Sequence, residues 1–211
     1  MNITIIGAGN MASAFVKQFT RAGHKVRVTA RTVEKAQAVA AANPGAIAAR
    51  PSDALGDSSV VIVATGYADA VPALKSLGSL AGKVVIDVTN PVSPDYMSLT
   101  IGHATSAAEE IAKAIPEAEV VKAFNTVFAD VLADGPSFSF GQTVPVFVAS
   151  DSERAKQVAK TLVQSIGFNS VDAGPLKNAR YLEPIAGFNI YLGYGAGHGT
   201  AISPTWIRKA A

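Results

Sequence analysis

A glycine-rich segment close to the start of the sequence has the residue types needed to hold a phosphate group. Gly7 and Gly9 are followed by Ala12, which is the spacing of a dinucleotide-binding turn. In such a turn one glycine allows the chain to bend, the next lets the backbone approach a pyrophosphate, and a small third residue keeps helix and strand close. Asn10 and Met11 would open a helix whose free N–H groups face the anion. The alternative is an ordinary glycine turn without a ligand.

The end of the second predicted strand carries cations and hydroxyl groups in place of an acid. Sites for NAD usually have an acidic residue here for the ribose hydroxyls, whereas a 2′-phosphate needs a cation and hydroxyl donors. The sequence has Thr29, Ala30, Arg31 and Thr32, with Lys35 one turn further on. Arg31 can form two hydrogen bonds to a phosphate, and Thr32 can donate its hydroxyl or cap the helix. This pattern favours NADP(H), and the alternative is a solvated helix start.

Further candidates follow the later strands. Ligands of open α/β sheets lie beyond the carboxyl ends of the strands, so we expect a nicotinamide ring near Ala64, Thr65, Gly66, Asn90, Pro91, Ala123 and Asn125. Asn90 and Asn125 could bind the carboxamide, although Asn90-Pro91 could equally be a plain turn. His103 and Asn125 are the two catalytic candidates. His103 could protonate a reduced flavin, or it could be a surface histidine before a helix.

Alternating strands and helices must position these residues. We expect strands at 2–6, 26–30, 46–49, 59–64, 83–88, 119–123, 144–149 and 169–172, with Pro145 at a strand start or edge. Helices are expected at 10–22, 33–42, 68–77, 105–115, from a cap at Asp151 to 166, and at 176–194. The regular alternation pauses after Phe124 in a Gly- and Pro-containing loop. The pattern predicts an α/β fold, a Rossmann-type doubly wound and mainly parallel sheet with a small C-terminal extension.

Two units are expected within this fold. Residues 1–126 would form the NADP-binding Rossmann domain, and residues 127–211 a smaller C-terminal part that completes the cleft. The glycine-rich stretch 193–199 should be a loop, and the tail 193–205, which contains His198, could fold over a ring as a lid or be disordered.

Composition excludes several classes of function. The chain has 211 residues, no cysteine and a formal charge of +2, so thiolate chemistry and disulfides are excluded and a nucleic-acid or anionic-membrane partner is disfavoured. Three histidines without close spacing make a metal site unexpected. The first residues lack the features of a signal peptide, which favours a cytoplasmic location.

Three motifs together resemble the F420-dependent NADP reductases. Residues 29–36 (Thr-Ala-Arg-Thr-Val-Glu-Lys-Ala) resemble the phosphate-binding stretch of that family, 120–127 its sixth-strand motif and 172–180 its late Asp-Ala-Gly-Pro-Leu signature. The similarity spans nearly the full length, and it extends to the reductase domain of the STEAP ferric reductases, whose electron acceptor is a flavin. Ala30 and the segment 65–67 depart from the usual family pattern. The resemblance implies a homodimer whose late helix packs at the substrate cleft and at the dimer contact.

Three functions remain open from the sequence. The first is hydride transfer between NADPH and a flavin or a deazaflavin such as F420, which needs alignment and water exclusion more than an acid or base. The second is reduction of a small carbonyl or imine substrate, although only 86 residues (211 − 125) follow Asn125, too few for the large helical domain of such enzymes. The third is a non-catalytic NADP(H)-binding redox sensor. The direction of transfer stays open.

Overall fold

A computed structural model describes residues 1–207 and 209 of the chain. The strands are β1 (Asn2–Ile6), β2 (Lys25–Thr29), β3 (Ala46–Ala48), β4 (Val60–Val63), β5 (Val84–Asp87), β6 (Glu119–Lys122), β7 (Pro145–Val148) and β8 (Asn169–Asp172). The helices are α1 (Asn10–Arg21), α2 (Val33–Ala41), α3 (Tyr67–Lys75), α4 (Ala107–Ala114), α5 (Ala129–Asp134), α6 (Glu153–Ser165) and α7 (Ala179–Ile190). Short 3₁₀ segments lie at Pro51–Asp53, Ser139–Gly141 and Leu176–Asn178, and a π-helical turn at Tyr191–Gly195 extends α7.

Strands β1 to β6 form one parallel sheet in the order β3-β2-β1-β4-β5-β6. This is the strand order of a Rossmann fold, and the order reverses between β1 and β4, where such folds bind ligands. All residues of β4 and β5 are buried, since helices cover both faces of the sheet, which explains why these strands are continuous apolar runs. The predicted fold class is confirmed.

Aromatic packing places α1 against the sheet. Phe15 and Phe19 are completely buried on the inner face of α1, and the ring of Phe15 meets that of Phe124 edge-on at 5.0 Å between centroids. Phe124 follows β6, so this contact ties the first helix of the chain to the end of the sixth strand. The start of α1 and the end of β6, which both line the cleft described below, are therefore joined through the core.

The C-terminal extension forms a second, two-stranded sheet beside β6. Strands β7 and β8 pair in parallel, and Ala149, directly after β7, forms an antiparallel bridge with Lys122. Pro145 opens β7 as predicted. The division into units at 126/127 stays a prediction, and residues 208, 210 and 211 of the second unit lie outside the described residues.

Three local predictions need correction. Ser152 caps α6 by accepting a hydrogen bond from the N–H of Ala155, whereas Asp151, the predicted cap, accepts one from the N–H of Leu176. The expected loop after Phe124 contains the short helix α5, which buries Val131 and Leu132. Part of the expected glycine loop, 193–195, belongs to the π-helical turn. Gly193 is buried there against the ring of Phe128, which leaves no room for a side chain.

Candidate active site

One cleft with two chambers lies over the carboxyl ends of the strands. The Arg31 chamber has a volume of about 570 Å³ and lies above β1, β2 and β4. The Asn125 chamber has about 560 Å³ and lies above β4, β5 and β6. Both are lined by Gly9 and by residues 64–66, so they meet at the point where the strand order reverses. An elongated ligand can therefore occupy both at once.

The glycine turn has the geometry that a close anion requires. Gly7 has a φ of +129°, and a Cβ there would lie 2.3 Å from the carbonyl oxygen of Ala64, so a side chain is excluded by backbone. Around a Cβ at Gly9 the described residues place no atom within 4 Å, which makes Gly9 an open cradle over the start of α1. Helix α1 begins there with Gly9 as its cap and with no side-chain hydrogen bond to its first turn. Its first N–H groups are available to an anionic ligand.

Cations and a hydroxyl line the outer end of the Arg31 chamber. The side chain of Arg31 is 85% exposed, and its Nη1 lies 3.5 Å from Oδ1 of Asp69 on α3. Thr32 caps α2 without a hydrogen bond from its side chain to the helix. Lys35 lines the same end of the chamber. The sequence-predicted residues Arg31, Thr32 and Lys35 are thus brought together, with a carboxylate opposite them that the sequence analysis did not consider.

Two asparagines join the strand ends under the Asn125 chamber. The side-chain amide of Asn125 donates to Oδ1 of Asn90 at 3.0 Å and to the carbonyl of Leu182 at 3.0 Å, and Asn90 donates back to the carbonyl of Asn125 at 2.8 Å. Oδ1 of Asn125 and Oγ1 of Thr89 are buried, and neither has a hydrogen-bond partner among the described residues. An unpaired buried polar atom is costly, and both residues line the Asn125 chamber.

Apolar and aromatic side chains form the rest of this chamber. Within residues 1–207 and 209 every lining side chain is uncharged, and the walls include Tyr96, Phe128, Ile190 and Tyr194. The rings of Phe128 and Tyr194 meet edge-on at 5.7 Å. The π-helical turn directs Tyr194 to this wall, and such turns occur frequently at functional sites. The chamber suits a flat, uncharged ring.

A buried ion cluster lies beneath the Asn125 chamber, and the sequence analysis missed it. Nζ of Lys122 lies 2.8 Å from Oδ2 of Asp87 and 2.8 Å from Oε1 of Glu183, and it donates to the carbonyl of Thr89 at 2.6 Å. Glu183 also accepts hydrogen bonds from the backbone N–H groups of Ala107 and Ala108. The available signal was Lys122 directly after the two valines of β6, because a buried charge requires a partner.

The cluster affects the protonation of its neighbours. Burial alone would lower the pKa of Lys122, but the carboxylates of Asp87 and Glu183 raise it above its usual value. Lys122 therefore stays charged. Burial, with Glu110 and Glu183, raises the pKa of the Tyr67 phenol, so that side chain stays neutral.

The other predicted site residues lie outside the chamber walls. Ala12 and Ala123 are completely buried, where Ala12 allows α1 to approach β1. Pro91 accepts hydrogen bonds from Thr100 through its carbonyl. His103 is exposed on a loop with a φ of +56°, and it is not among the described residues that line either chamber. Gly7, Gly9, Asn10, Met11, Ala30, Ala64, Thr65, Gly66, Asn90 and Asn125 do line the cleft, and their roles stay predictions.

The described part of the chain lacks two further features. No described helix is long and apolar enough to cross a membrane. Residues 1–207 and 209 also contain no group of three or more His, Asp or Glu side chains placed to hold a metal ion.

The fold and the glycine turn define a class, that of the dinucleotide-binding Rossmann domains. Residues 2–91 match the family of NADP oxidoreductases, coenzyme F420-dependent. The chain is also 30% identical over 185 residues to the metalloreductase STEAP3 of Rattus norvegicus, a match that covers 87% of this chain and 36% of the relative. The chain thus spans little more than a third of that relative. The resemblance to both groups is confirmed.

Two solved structures are similar to this chain. A proposed F420-dependent NADP-reductase from Arthrobacter sp. FB24 superposes with a TM-score of 0.88 at 26% identity, covering 98% of this chain and 99% of that protein. A reductive aminase from Aspergillus terreus, solved with NADPH4, cyclohexanone and allyl amine, has a TM-score of 0.67 at 20% identity, with 93% of this chain and 62% of that protein covered. The second likeness concerns the fold alone.

Proposed function

We propose that this protein transfers a hydride between NADP(H) and a flavin or a deazaflavin of the F420 type. The observation that carries the proposal is the Asn125 chamber, which adjoins the glycine turn and is lined by aromatic, apolar and amide side chains without a charge among the described residues. A tricyclic ring that is flat and uncharged fits such walls, whereas a small anionic substrate would need a cation there. The family and the Arthrobacter relative support the same acceptor class.

The described residues fit NADP(H) from one end to the other. The open cradle at Gly9 and the start of α1, with Asn10 and Met11, would hold the pyrophosphate. Arg31, Thr32 and Lys35 would hold the 2′-phosphate. Ala64, Thr65 and Gly66 lie where the chambers meet, and a side chain at Gly66 would project into open space, so this segment leaves room for the cofactor.

The nicotinamide ring would lie in the inner part of the Asn125 chamber. Its carboxamide can donate to Oδ1 of Asn125 and accept from the hydroxyl of Thr89, which are two of the four buried side-chain atoms without partners among the described residues. Asn90 fixes the side chain of Asn125. These contacts would set which face of the ring is turned to the acceptor. We keep Asn125 as a contact residue on this basis, and the placement of His103 does not support a catalytic role for it.

The bound cofactor would supply the hydride, and the protein supplies alignment and exclusion of water. Asn125 and Thr89 orient one ring, while Tyr96 and Tyr194 flank the space for the second. The Lys122 cluster lies beneath the space for both rings. Nζ of Lys122 donates to the carbonyl oxygen of Thr89 at 2.6 Å and so fixes the backbone there. The overall balance is NADPH plus oxidised acceptor plus a proton giving NADP⁺ and reduced acceptor.

The test is an assay of NADPH oxidation, in which the loss of absorbance of the reduced nicotinamide is measured. Purified protein is given F420, FMN, FAD, riboflavin or no acceptor, with NADH as the control donor. Rapid oxidation with F420 or a flavin supports the proposal and identifies the acceptor. NADPH binding without turnover with any of them would contradict it and would favour a redox sensor. Turnover with a carbonyl or imine compound alone would favour a small-substrate reductase.

We also propose a cytoplasmic homodimer, as the family resemblance implies. Light scattering coupled to size-exclusion chromatography tests the dimer, and a mass of about one chain in solution would contradict it. Fractionation of the source cells tests the location.

A further inference from the structure

We infer that the carboxylate of Asp69 binds the exocyclic amino group of the adenine ring and thereby selects adenine dinucleotides. This inference rests on the proposed function, because it requires the adenosine end of NADP(H) to lie in the Arg31 chamber. It adds a residue that reads the base to those that hold the phosphates.

One face of α3 forms a wall of the Arg31 chamber. Asp69, Pro72, Ala73 and Ser76 line it, at the spacing of residues that share one side of a helix. The chamber is also lined by Pro51 and by Arg31, Thr32 and Lys35. The base and the 2′-phosphate are attached to the same ribose, so a phosphate held by Arg31 places the adenine in this chamber.

The position of Asp69 needs an explanation beyond its ion pair. The carboxylate is 51% exposed and lies 3.5 Å from Nη1 of Arg31, and a pair so exposed and so long stabilises little. A carboxylate beside a phosphate site also repels the bound phosphate. A hydrogen bond from the ligand to Asp69 would offset that repulsion.

The adenine amino group is the donor that fits. Among the described side chains of this chamber, Asp69 is the one carboxylate, while Arg31 and Lys35 can only donate. The hydroxyl of Ser76 already donates to the carbonyl of Ala73 at 2.7 Å. Adenine carries an amino group at its six-position, and a bond from it to a carboxylate is charge-assisted. Hypoxanthine has an oxygen at that position, which the carboxylate would repel.

The test compares the dissociation constants of NADPH and of its hypoxanthine analogue, measured by fluorescence titration. We expect the wild type to bind NADPH about ten-fold more tightly, the effect of one hydrogen bond to a charged group. In Asp69→Asn this ratio should fall toward one, because an amide can donate to the hypoxanthine oxygen as well as accept from adenine. Repulsion between Asp69 and the 2′-phosphate is common to both nucleotides and cancels in the ratio.

Two controls make the result specific. Arg31→Ala should weaken the binding of both nucleotides and leave the ratio of their dissociation constants unchanged. Asp134→Asn, at the exposed end of α5, should change neither dissociation constant. The inference is wrong if the wild type binds NADPH and the hypoxanthine analogue equally well. It is also wrong if the ratio of the two dissociation constants is the same in Asp69→Asn as in the wild type. In either case Asp69 serves only as a counter-ion of Arg31. If the wild type binds neither nucleotide, the proposed function is wrong as well.

Discussion

Lys122 on β6 and Glu183 on α7 form an ion pair with 2.8 Å between Nζ and Oε1, and neither side chain is more than 2% exposed. Glu183 also receives the first N–H groups of α4, where the helix dipole favours a negative charge. The pair therefore joins β6, α4 and α7 beneath the Asn125 chamber. Through Leu182, whose carbonyl accepts from Asn125, the same helix positions the site.

Lys122→Met should destabilise the protein by about 3–5 kcal/mol, because it leaves the carboxylates of Asp87 and Glu183 buried without their cation. The measurement is the free energy of unfolding in urea. The matched control is Lys113→Met, which removes an exposed ion pair to Glu110 and should leave the unfolding midpoint unchanged. Equal effects of the two changes would contradict a structural role for the cluster.

Arg31→Ala should weaken NADPH binding by about ten-fold or more and leave NADH binding nearly unchanged, since only NADPH carries the 2′-phosphate and a hydrogen bond to a charged group is lost. Fluorescence titration with both nucleotides measures the difference. Equal loss for NADPH and NADH would remove Arg31 from the phosphate site.

Gly9→Val should abolish binding of NADPH and NADH without unfolding the protein, because the added side chain projects into the open cradle. Gly7→Ala should instead lower stability, since its Cβ would lie 2.3 Å from the carbonyl oxygen of Ala64. Thermal unfolding and nucleotide titration of both variants separate the two effects. Retained affinity in Gly9→Val would mean that the turn is purely structural.

Thr89→Val should leave stability unchanged or raise it by about 1 kcal/mol, because the replaced hydroxyl is buried without a partner among the described residues. NADPH binding should weaken, since a donor to the carboxamide is lost. Thr20→Val, which removes another hydroxyl of this kind away from the cleft, should have the same effect on stability but none on binding. Unchanged NADPH affinity in Thr89→Val would contradict the carboxamide contact.

The ionised carboxylate of Asp172 should contribute to the free energy of unfolding at neutral pH and lose this contribution in acid. A hydrogen bond from Lys160 and one from the N–H of Gly174 lower the pKa of its carboxyl to about 2. Since the unfolded value is about 3.9, this contribution is complete above pH of about 4 and is lost as the pH falls toward 2. It is small, because the side chain is 43% exposed. The urea midpoints of wild type and Asp172→Asn should differ at neutral pH and converge in acid; a constant difference would argue against it.

The amino-acid sequence by itself determined the elements and the cofactor turn. Continuous apolar strands, helical spacing and the glycines at positions 7 and 9 are local properties, read within one segment at a time. The segment with Arg31, Thr32 and Lys35 is equally local, because its residues are neighbours on one loop and helix start. Most boundaries moved by one or two residues, whereas the predicted helix at 176–194 is divided into a 3₁₀ segment, α7 and a π-helical turn. Helix α5 was missed since six residues are too few for a clear helical period.

Only the tertiary structure decided how distant residues meet. Arg31 and Asp69 are 38 residues apart in the chain, Asn90 and Asn125 are 35 apart, and Glu183 lies 76 residues from Ala107. Such pairs depend on strand order and on the packing of α4 and α7, which periodicity does not encode. The same packing leaves Thr89 and Asn125 with buried atoms that lack partners among the described residues. Whether a buried polar atom has a hydrogen-bond partner depends on all the residues packed around it. It can therefore be determined only from the folded structure.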